Sequence, residues 1–294
     1  MQYELNTLGD LLQKAEQFLE RKGVQKPRLE AQIIFAASLN LERIQLYTQD
    51  DRPLTESEIL DLRKLLVRKG DGEPTAYLTG GKEFYGRKFT VNTHTLIPRP
   101  ETEELCDLVL SNRQHYAESL KILDLATGTG CIGITTALEL QKKGHSIEHL
   151  YLLDISEFAL EVASLNATLL EQANIPYELQ QSDWFSSFTV PAPNSIDLII
   201  SNPPYVFTNE YEKLDATVKN FEPEIALHAA NLDEIITKIA NGAKKYLKPE
   251  GFLYIETNPA AAAAGLRILN ESGFKQTTSH TDLAGREHFI SGRN

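Results

Sequence analysis

The chain is poor in cysteine and lacks long apolar runs. Cys106 and Cys131 are its two cysteines, and they form no Cys-x-x-Cys or Cys/His ligand cluster, which argues against a disulfide scaffold or a zinc-finger-type site. So few thiols in 294 residues are typical of a reducing compartment. No apolar run approaches the length of about 18 residues needed for a membrane helix, and the first residues lack a secretory signal pattern. We therefore expect a cytoplasmic protein that does not enter the membrane.

Basic side chains are also scarce. Lys and Arg number 29 against 41 Asp and Glu, which gives a formal net charge of −12 at pH 7. Residues 1–83 hold 12 basic and 14 acidic side chains, and the remainder holds 17 and 27. Neither part has the basic excess that neutralises nucleic-acid phosphates, so we expect no stable nucleic-acid binding. The hydrophobic share of 41% is that of a globular protein, and the length predicts about two domains.

The first part of the chain is predicted to be helical. Apolar residues recur at helical spacing behind Thr7, Pro27 and Thr55, and Thr55 with Glu58 matches a capping box. Amphipathic helices joined by short loops indicate a small all-α bundle over residues 1–72. This segment carries no chemical motif, which favours a role in substrate docking.

From residue 73 the pattern changes. Residues 73–95 are interpreted as a linker with a short β-hairpin that turns at Gly86. Over residues 96–294 apolar runs alternate with helical patterns, which indicates a doubly wound α/β domain with a mostly parallel sheet. The predicted strands are residues 121–126, 150–154, 196–201 and 252–256, and the predicted helices are residues 132–141, 156–173 and 233–247.

A glycine-rich turn follows the first of these strands. Gly128, Gly130 and Gly133 fit the pattern G-x-G-x-x-G between a strand and a helix, where backbone N–H groups can approach a ligand closely. Asp154 ends the next strand, where a carboxylate can accept hydrogen bonds from ribose hydroxyls. Together these features indicate an adenosine-bearing ligand, and they fit a nicotinamide cofactor as well as any other ligand of that kind.

A second motif, Asn202-Pro203-Pro204-Tyr205, follows the strand predicted at residues 196–201. Its prolines restrict the backbone, so that the Asn202 side-chain oxygen and a proline carbonyl can act as two fixed acceptors for one –NH₂ group. Tyr205 adds a flat surface for a planar amide or base. Dehydrogenases need no such arrangement, so the motif favours a reaction at a planar nitrogen.

In combination with the glycine turn and Asp154, this motif resembles the S-adenosylmethionine-dependent methyltransferases that modify planar nitrogens. Residues 96–103, Leu-Ile-Pro-Arg-Pro-Glu-Thr-Glu, are similar to the signature of the HemK-type protein-(glutamine-N5) methyltransferases. Members of that family act on the glutamine of the Gly-Gly-Gln loop in peptide chain release factors. Further matches are residues 72–80, 183–185, 221–223 and 282–286.

The resemblance implies a class I methyltransferase domain over residues 96–294, with a seven-stranded, mostly parallel sheet. It implies S-adenosyl-L-methionine as cofactor, a release factor as protein substrate and no metal. Catalysis is assigned to Asn202, Pro203 and Tyr205, and the substrate amide is held by these residues and Pro204. Cofactor contacts fall on Ala126, Thr127, Gly128, Thr129, Gly130, Asp154, Trp184 and Asn202.

The chain departs from the family pattern at several positions. Ala126 stands where glycine is usual, and we expect the methyl group to be tolerated if the backbone φ is negative there. The other departures lie in the C-terminal third and concern substrate docking more than cofactor binding. They are Ala229, Ala230, Thr257, Asn258 and His288.

Three alternatives remain open. Adenine-N6 methylation of DNA or RNA would use the same loop on a flipped base, but the acidic charge opposes it. Methylation of a ribosomal-protein glutamine is a sister activity, although residues 98–103 fit the release-factor branch better. A non-catalytic binding protein is opposed by intact Asp124, Gly128, Gly130, Asp154 and Asn202. The protein is expected to be a monomer.

Overall fold

The computed structural model describes residues 7–189 and 192–294, and over these residues the chain forms two compact units. One comprises the chain up to Gly81 together with Asp215–Phe221, and the other comprises Lys82–Leu214 and Glu222–Asn294. The segment expected to be a linker is therefore divided between the units. The expectation that no secretory signal precedes the first helix falls partly on residues 1–6, outside the described residues.

The α-helices are α1 (Leu8–Arg21), α2 (Pro27–Ser38), α3 (Gln45–Thr48), α4 (Glu56–Gly70), α5 (Thr75–Thr79), α6 (Pro100–Ser111), α7 (Cys131–Lys142), α8 (Glu157–Asn166), α9 (Thr168–Gln172), α10 (Thr208–Tyr211), α11 (Ala216–Phe221), α12 (Leu232–Tyr246) and α13 (Ala262–Glu271). Short 3₁₀ turns lie at Arg113–His115, Glu224–Ala226 and Pro259–Ala261. The strands are β1 (Gly81–Phe84), β2 (Arg87–Thr90), β3 (Ser119–Leu125), β4 (Ser146–Asp154), β5 (Tyr177–Gln181), β6 (Ile196–Ser201), β7 (Val206–Phe207), β8 (His228–Ala229), β9 (Leu247–Glu256), β10 (Lys275–Thr281) and β11 (Glu287–Arg293).

Three helices of the helical unit, α1, α2 and α4, begin where the sequence predicts. The Thr7 hydroxyl accepts a hydrogen bond of 3.3 Å from the backbone N–H of Asp10 and caps α1. Thr55 and Glu58 form the predicted capping box at α4. Leu19 and Phe35 are among the fully buried residues of this unit's own apolar core. The prediction of a small helical bundle is confirmed.

The second unit contains a seven-stranded sheet in the order β10-β11-β9-β6-β3-β4-β5. Strands β9, β6, β3, β4 and β5 run parallel, while β11 is antiparallel to β9 and β10 is antiparallel to β11. The predicted doubly wound, mostly parallel sheet is therefore confirmed. The predicted hairpin is present as the two-stranded sheet of β1 and β2.

Helices cover both faces of the large sheet, and alternate residues of its strands enter two different apolar cores. Ile122 and Leu152 belong to the core that also contains residues of α6 and α7. Leu123 and Leu153 belong to the core that also contains residues of α12 and α13. Both faces of the central strands are buried, which explains why these strands appear in the sequence as nearly continuous apolar runs.

One predicted helix is wrong in its extent. The segment expected to be one helix from 156 to 173 is broken after Asn166 into α8 and α9. The buried Asn166 amide accepts a 2.7 Å hydrogen bond from the Thr90 N–H and donates one of 2.9 Å to the Thr129 carbonyl. In addition, β4 and β9 begin earlier than predicted, at Ser146 and Leu247.

In the described part of the chain, no helix combines the length and the apolar character needed to cross a bilayer.

Candidate functional site

An open cleft of about 1040 Å³, including its mouth, lies in the second unit where β3, β4 and β6 end. Its lining includes Leu125, Asp154 and Asn202, which are the last residues of β3 and β4 and the residue after β6. The sheet order reverses at β3, because β4 pairs with one edge of β3 and β6 with the other. Such a switch point is where open α/β sheets bind ligands.

The glycine turn after β3 is held to β4 by backbone hydrogen bonds. The Thr127 N–H donates to the Leu153 carbonyl over 2.9 Å, and the Gly130 N–H donates to the Thr127 carbonyl over 2.8 Å. Gly128 and Gly130 have φ values of +54° and +81°, which side chains other than glycine rarely adopt. The two glycines therefore permit the tight path of the turn from β3 into α7.

Ala126 departs from the expectation of a negative φ. Its φ is +61°, so the backbone of this alanine adopts the left-handed conformation in which glycine is preferred. That conformation costs a residue with a Cβ about 1–2 kcal/mol. The methyl group was expected to be tolerated only at a negative φ, and this condition is not met. The backbone of the turn is therefore strained at Ala126.

Asp124 supports the turn from inside the protein. Its Oδ2 accepts hydrogen bonds of 2.6 Å from the Thr127 hydroxyl and 2.9 Å from the Gly133 N–H. A Cβ on Gly133 would lie 2.7 Å from the Cβ of Asp124, so this contact requires glycine. Complete burial raises the pKa of Asp124 to about 6, although its two hydrogen bonds lower it.

Asp154 connects the turn to the end of β4. Its Oδ2 accepts a 2.8 Å hydrogen bond from the Gly128 N–H, and its Oδ1 accepts one of 2.9 Å from the Ser156 N–H. Burial raises the pKa of this carboxyl, and the backbone hydrogen bonds partly oppose the shift. Trp184 also lines the cleft, in the loop after β5. The cleft thus offers a carboxylate acceptor and an aromatic ring.

The Asn-Pro-Pro-Tyr motif follows β6 directly. Asn202 lines the cleft, and its Nδ2 donates a hydrogen bond of 3.3 Å to the Thr102 hydroxyl oxygen. Tyr205 instead faces the protein interior, where its hydroxyl donates to Oε1 of Glu256 over 2.9 Å. Burial is the main cause that raises the pKa of Tyr205 well above its usual value.

The structure brings most of the predicted site residues together. Gly130, Pro203 and Tyr205 are not part of the described cleft lining, and the Tyr205 hydroxyl is directed to a buried carboxyl group rather than to the cleft. The roles assigned to all these residues stay predictions. Those that do line the cleft are Ala126, Thr127, Gly128, Thr129, Asp154, Trp184, Asn202 and Pro204.

The signature at residues 96–103 forms a further wall of the cleft, a role that the sequence did not reveal. Arg99 lines the cleft and forms an ion pair of 2.6 Å with the buried Glu222. Glu222 also accepts a 3.2 Å hydrogen bond from the Ile97 N–H. Two of the matched segments, residues 96–103 and 221–223, thus meet in one ion pair.

Glu256 was also missed as a candidate. It ends β9 beside β6, is fully buried, and accepts the Tyr205 hydrogen bond. Burial raises the pKa of Glu256 to about 7, while the Tyr205, Thr102 and Asn202 side chains lower it. Its position at the carboxyl end of a parallel strand, like that of Asp154, is the signal that could have identified it.

Some of the departures from the family pattern lie near Tyr205. The His288 ring packs edge-on against the Tyr205 ring, with centroids 5.8 Å apart. The Thr257 N–H donates to the His288 carbonyl over 2.9 Å, and Asn258 Nδ2 donates to a Glu210 carboxylate oxygen over 2.8 Å.

Over residues 7–189 and 192–294, no group of three or more His, Cys, Asp or Glu side chains is arranged to hold a metal ion.

Comparisons with known proteins agree with this architecture. Residues 10–80 match the family described as the PrmC N-terminal domain, and residues 117–282 match a methyltransferase domain family. A release factor glutamine methyltransferase of Leptospira interrogans is 36% identical over 280 residues, which are 95% of this chain and 96% of that protein. Another, from Koribacter versatilis, is 35% identical over 98% of both chains.

Among solved structures, the hMettl16 catalytic domain in complex with the MAT2A 3′UTR hairpin 1 superposes with a TM-score of 0.54. The alignment covers 81% of this chain and 80% of that chain at 14% sequence identity. Because the identity is so low, this likeness supports a shared fold and nothing more.

Proposed function

Since the chain belongs to the family of release factor glutamine methyltransferases, we propose that it methylates the side-chain amide nitrogen of a glutamine in a peptide chain release factor. The methyl donor is S-adenosylmethionine. The glutamine is the one in the Gly-Gly-Gln motif, as the resemblance of residues 96–103 implies. Such a substrate places the reaction in the cytoplasm, where translation takes place.

The residues of the cleft fit this cofactor. Asp154 presents a carboxylate at the end of β4, where ribose hydroxyls can donate to it, and Trp184 supplies a ring against which an adenine can pack. Gly128 lines the cleft and carries no side chain, so a ligand can approach the main chain at this point. We assign cofactor binding to the wall formed by Ala126, Thr127, Gly128, Thr129, Asp154 and Trp184, together with Asn202. Gly130, which does not line the cleft, shapes the turn that carries this wall.

An amide nitrogen is a weak nucleophile because its lone pair is delocalised into the carbonyl group. When bound, S-adenosylmethionine supplies an activated sulfonium methyl group. The Asn202 side-chain oxygen and the Pro203 carbonyl accept the two N–H groups of the substrate amide and hold its nitrogen toward the reacting centre. The same acceptors stabilise the positive charge that develops on nitrogen during transfer. Orientation and electrostatics therefore carry the reaction, and no strong base is required before attack. As the N–CH₃ bond forms, the electron pair of the S–CH₃ bond stays on sulfur, and the nitrogen then releases one proton to water.

The observation that carries the proposal is the position of Asn202. It follows β6 at the switch point of the sheet, lines the same cleft as Asp154, and its Nδ2 is already bonded to Thr102. The side-chain oxygen is therefore the group left to accept from a substrate –NH₂. Pro204 continues this wall, and Tyr205 supports it from the interior side.

Adenine-N6 methylation of nucleic acid is the main competing function. The same acceptor pair would suit the exocyclic amine of a flipped base. The net charge of −12 opposes this function, because neither part of the chain carries the basic excess that nucleic-acid binding requires. The ribosomal-protein glutamine is the second alternative, and it differs from the proposal in the protein that carries the amide.

A label-transfer experiment separates these functions. The protein is incubated with methyl-labelled S-adenosylmethionine and, in parallel, with a release factor, ribosomes, duplex DNA or RNA. We expect label in the release factor and none in the same factor with the Gly-Gly-Gln glutamine replaced by glutamate. Label in DNA, RNA or a ribosomal protein, with none in the release factor, would refute the proposal.

The helical unit is assigned to docking of the protein substrate. It has its own apolar core and matches a separate family over residues 10–80, while the cleft lies entirely in the other unit. A docking role fits this separation, because the substrate is a whole protein and the cleft needs to hold one side chain. We also propose that the enzyme acts as a monomer.

A further inference from the structure

A group of buried polar side chains lies beside Asn202. Thr102 is 2% exposed and its hydroxyl oxygen lies 3.3 Å from Asn202 Nδ2. Glu256 is fully buried, and the Thr102 and Asn202 side chains both favour its ionised form. The Tyr205 hydroxyl donates to Oε1 of Glu256, whereas Oε2 is buried and accepts no well-formed hydrogen bond from the described residues.

This arrangement offers Asn202 two acceptors, the Thr102 oxygen and the Glu256 carboxylate. The Thr102 O–H is the remaining donor, and it favours the ionised carboxylate over a neutral amide oxygen, because hydrogen bonds to charged groups are stronger. An ionised carboxylate accepts hydrogen bonds and cannot donate them, and the Thr102 oxygen receives the Asn202 Nδ2 group. The Tyr205 hydroxyl, which could donate, is already directed to Oε1 of Glu256. The wall formed by Thr102 and Glu256 is therefore complementary to an –NH₂ group.

An asparagine amide can turn by 180° with little change in shape, so its neighbours decide its orientation. If the amide turned, its oxygen would face the lone pairs of this wall, and buried acceptors would lose their donor. We infer that Thr102 and Glu256 are positioning residues that fix the Asn202 amide with its –NH₂ toward them and its oxygen toward the cleft. This inference rests on the proposed function, in which that oxygen accepts from the substrate amide.

The charge on Glu256 determines whether the wall consists of acceptors alone. Ionisable groups that face it are Tyr205, Glu101 on α6 and Cys131 at the start of α7, and His288 on β11 contacts the Tyr205 ring. With the pKa of Glu256 raised to about 7 by burial, the group gains a proton as the pH falls through neutrality. A protonated carboxyl can donate, and the preference of Asn202 for one orientation weakens.

The first test needs no substrate. Side-chain amide signals are followed by NMR from pH 5.5 to 8.5 in protein labelled with ¹⁵N-asparagine, and the Asn202 signal is identified by its loss in Asn202→Asp. We expect this signal to titrate with a midpoint near pH 7 in the wild type and to lose that titration in Glu256→Gln. An Asn202 signal that does not titrate, or that titrates equally in Glu256→Gln, would overturn the inference.

The second test uses turnover at pH 8 with a release factor. Thr102→Val removes the hydroxyl at nearly constant volume, and we expect kcat to fall at least tenfold while the affinity for S-adenosylmethionine stays within threefold. Thr102→Ser restores the hydroxyl and should recover at least a third of the wild-type kcat. The matched control is Thr135→Val, because Thr135 is also fully buried and its hydroxyl has no partner among the described residues.

The two tests separate the inference from the proposed function. If Thr102→Val keeps kcat within twofold, or if Thr102→Ser is as impaired as Thr102→Val, the inference is wrong even though the enzyme methylates the release factor. If the wild type does not label a release factor at all, the proposed function is wrong, and the NMR titration still decides whether Glu256 controls the Asn202 amide.

Discussion

The backbone N–H of Gly128 donates a 2.8 Å hydrogen bond to Oδ2 of Asp154, so the turn after β3 and the carboxylate at the end of β4 form one unit. The same carboxylate caps the Ser156 N–H through its other oxygen. A side chain held at both oxygens has little freedom, so the direction in which it can accept further hydrogen bonds is set before a ligand arrives.

Replacement of Asp154 by Ala should weaken the binding of S-adenosylmethionine by about 10–100-fold, because hydrogen bonds to a charged group are worth about 1.5–3 kcal/mol. Isothermal calorimetry measures this directly. Asp154→Asn keeps an acceptor oxygen without the charge, so its affinity for S-adenosylmethionine should lie between those of the wild type and Asp154→Ala. Equal affinities for the wild type and Asp154→Ala would show that this carboxylate does not contact the cofactor.

Asn202→Ala should lower kcat by about 10²–10³, the usual effect of removing a preorganised polar contact to the transition state. The protein should stay folded, because Asn202 lies in a loop at the edge of the core rather than in it. Circular dichroism and cofactor binding provide the controls for folding. Near-normal turnover by a folded Asn202→Ala protein would mean that Asn-Pro-Pro-Tyr is a structural turn here.

Ala126→Gly should stabilise the protein by about 0.5–1 kcal/mol. Relief of the left-handed strain at φ +61° exceeds the added freedom of glycine in the unfolded chain. Urea unfolding measures the change in the free energy of unfolding. Ala263→Gly, at an exposed position in α13, is the matched control and should destabilise, because glycine disfavours a helix. A loss of stability in Ala126→Gly would contradict the strain.

Glu256→Gln should make the protein more stable at alkaline pH while impairing turnover. Burial raises the pKa of Glu256 from 4.5 to about 7, so between these values the folded protein holds a proton that the unfolded chain releases. The wild type therefore loses up to about 3 kcal/mol as the pH rises through this window, and the variant does not.

Urea titrations of both proteins at pH 5 and pH 8 test this. The pKa of Asp124 is also raised, but it affects the stability of both proteins alike, so its contribution cancels when the two are compared. The free energy of unfolding of Glu256→Gln, relative to that of the wild type, should be higher at pH 8 than at pH 5. An identical pH dependence in the two proteins would contradict the raised pKa of Glu256.

A chain that begins at Lys82 tests the docking role of the helical unit. Because α5 belongs to that unit, the cut follows Gly81 rather than the predicted boundary at 72. We expect cofactor affinity within a few-fold of the full chain and at least a hundredfold loss of turnover on an intact release factor. Unchanged turnover on the intact factor by the folded, truncated protein would remove the helical unit from substrate recognition.

Local patterns predicted the parts of the fold that depend on local physics. The capping residues Thr7 and Thr55 mark helix starts, and the strand at residues 196–201 was predicted at the observed bounds, because hydrogen-bonding side chains and apolar periodicity act within a few residues. The break after Asn166 could not be predicted, because it accompanies contacts of this side chain with Thr90 and Thr129, which are distant in the sequence.

In the candidate site, too, the sequence identified the residues that belong to local motifs and missed those that depend on contacts with distant parts of the chain. The glycine turn and Asn202 were recognisable because their residue types are unusual at strand ends. Glu256 and Thr102 were not, because an acid at the end of β9 and a threonine inside α6 gain meaning from their neighbours in space. The positive φ of Ala126 depends on how β3 leaves the sheet, and residue identity alone favours the opposite sign.

The ion pair of Arg99 with Glu222 has a consequence for the order in which the chain can fold during synthesis. Residues 96–103 leave the ribosome more than a hundred residues before Glu222, the carboxylate that holds both Arg99 and the Ile97 N–H. Glu256 emerges later still. Contacts that span so much sequence must wait for their partners, whereas the N-terminal helices, whose contacts are largely local, can form at once. A translation product that stops before β9 would therefore lack Glu256, the buried carboxyl group that accepts the hydrogen bond of the Tyr205 hydroxyl.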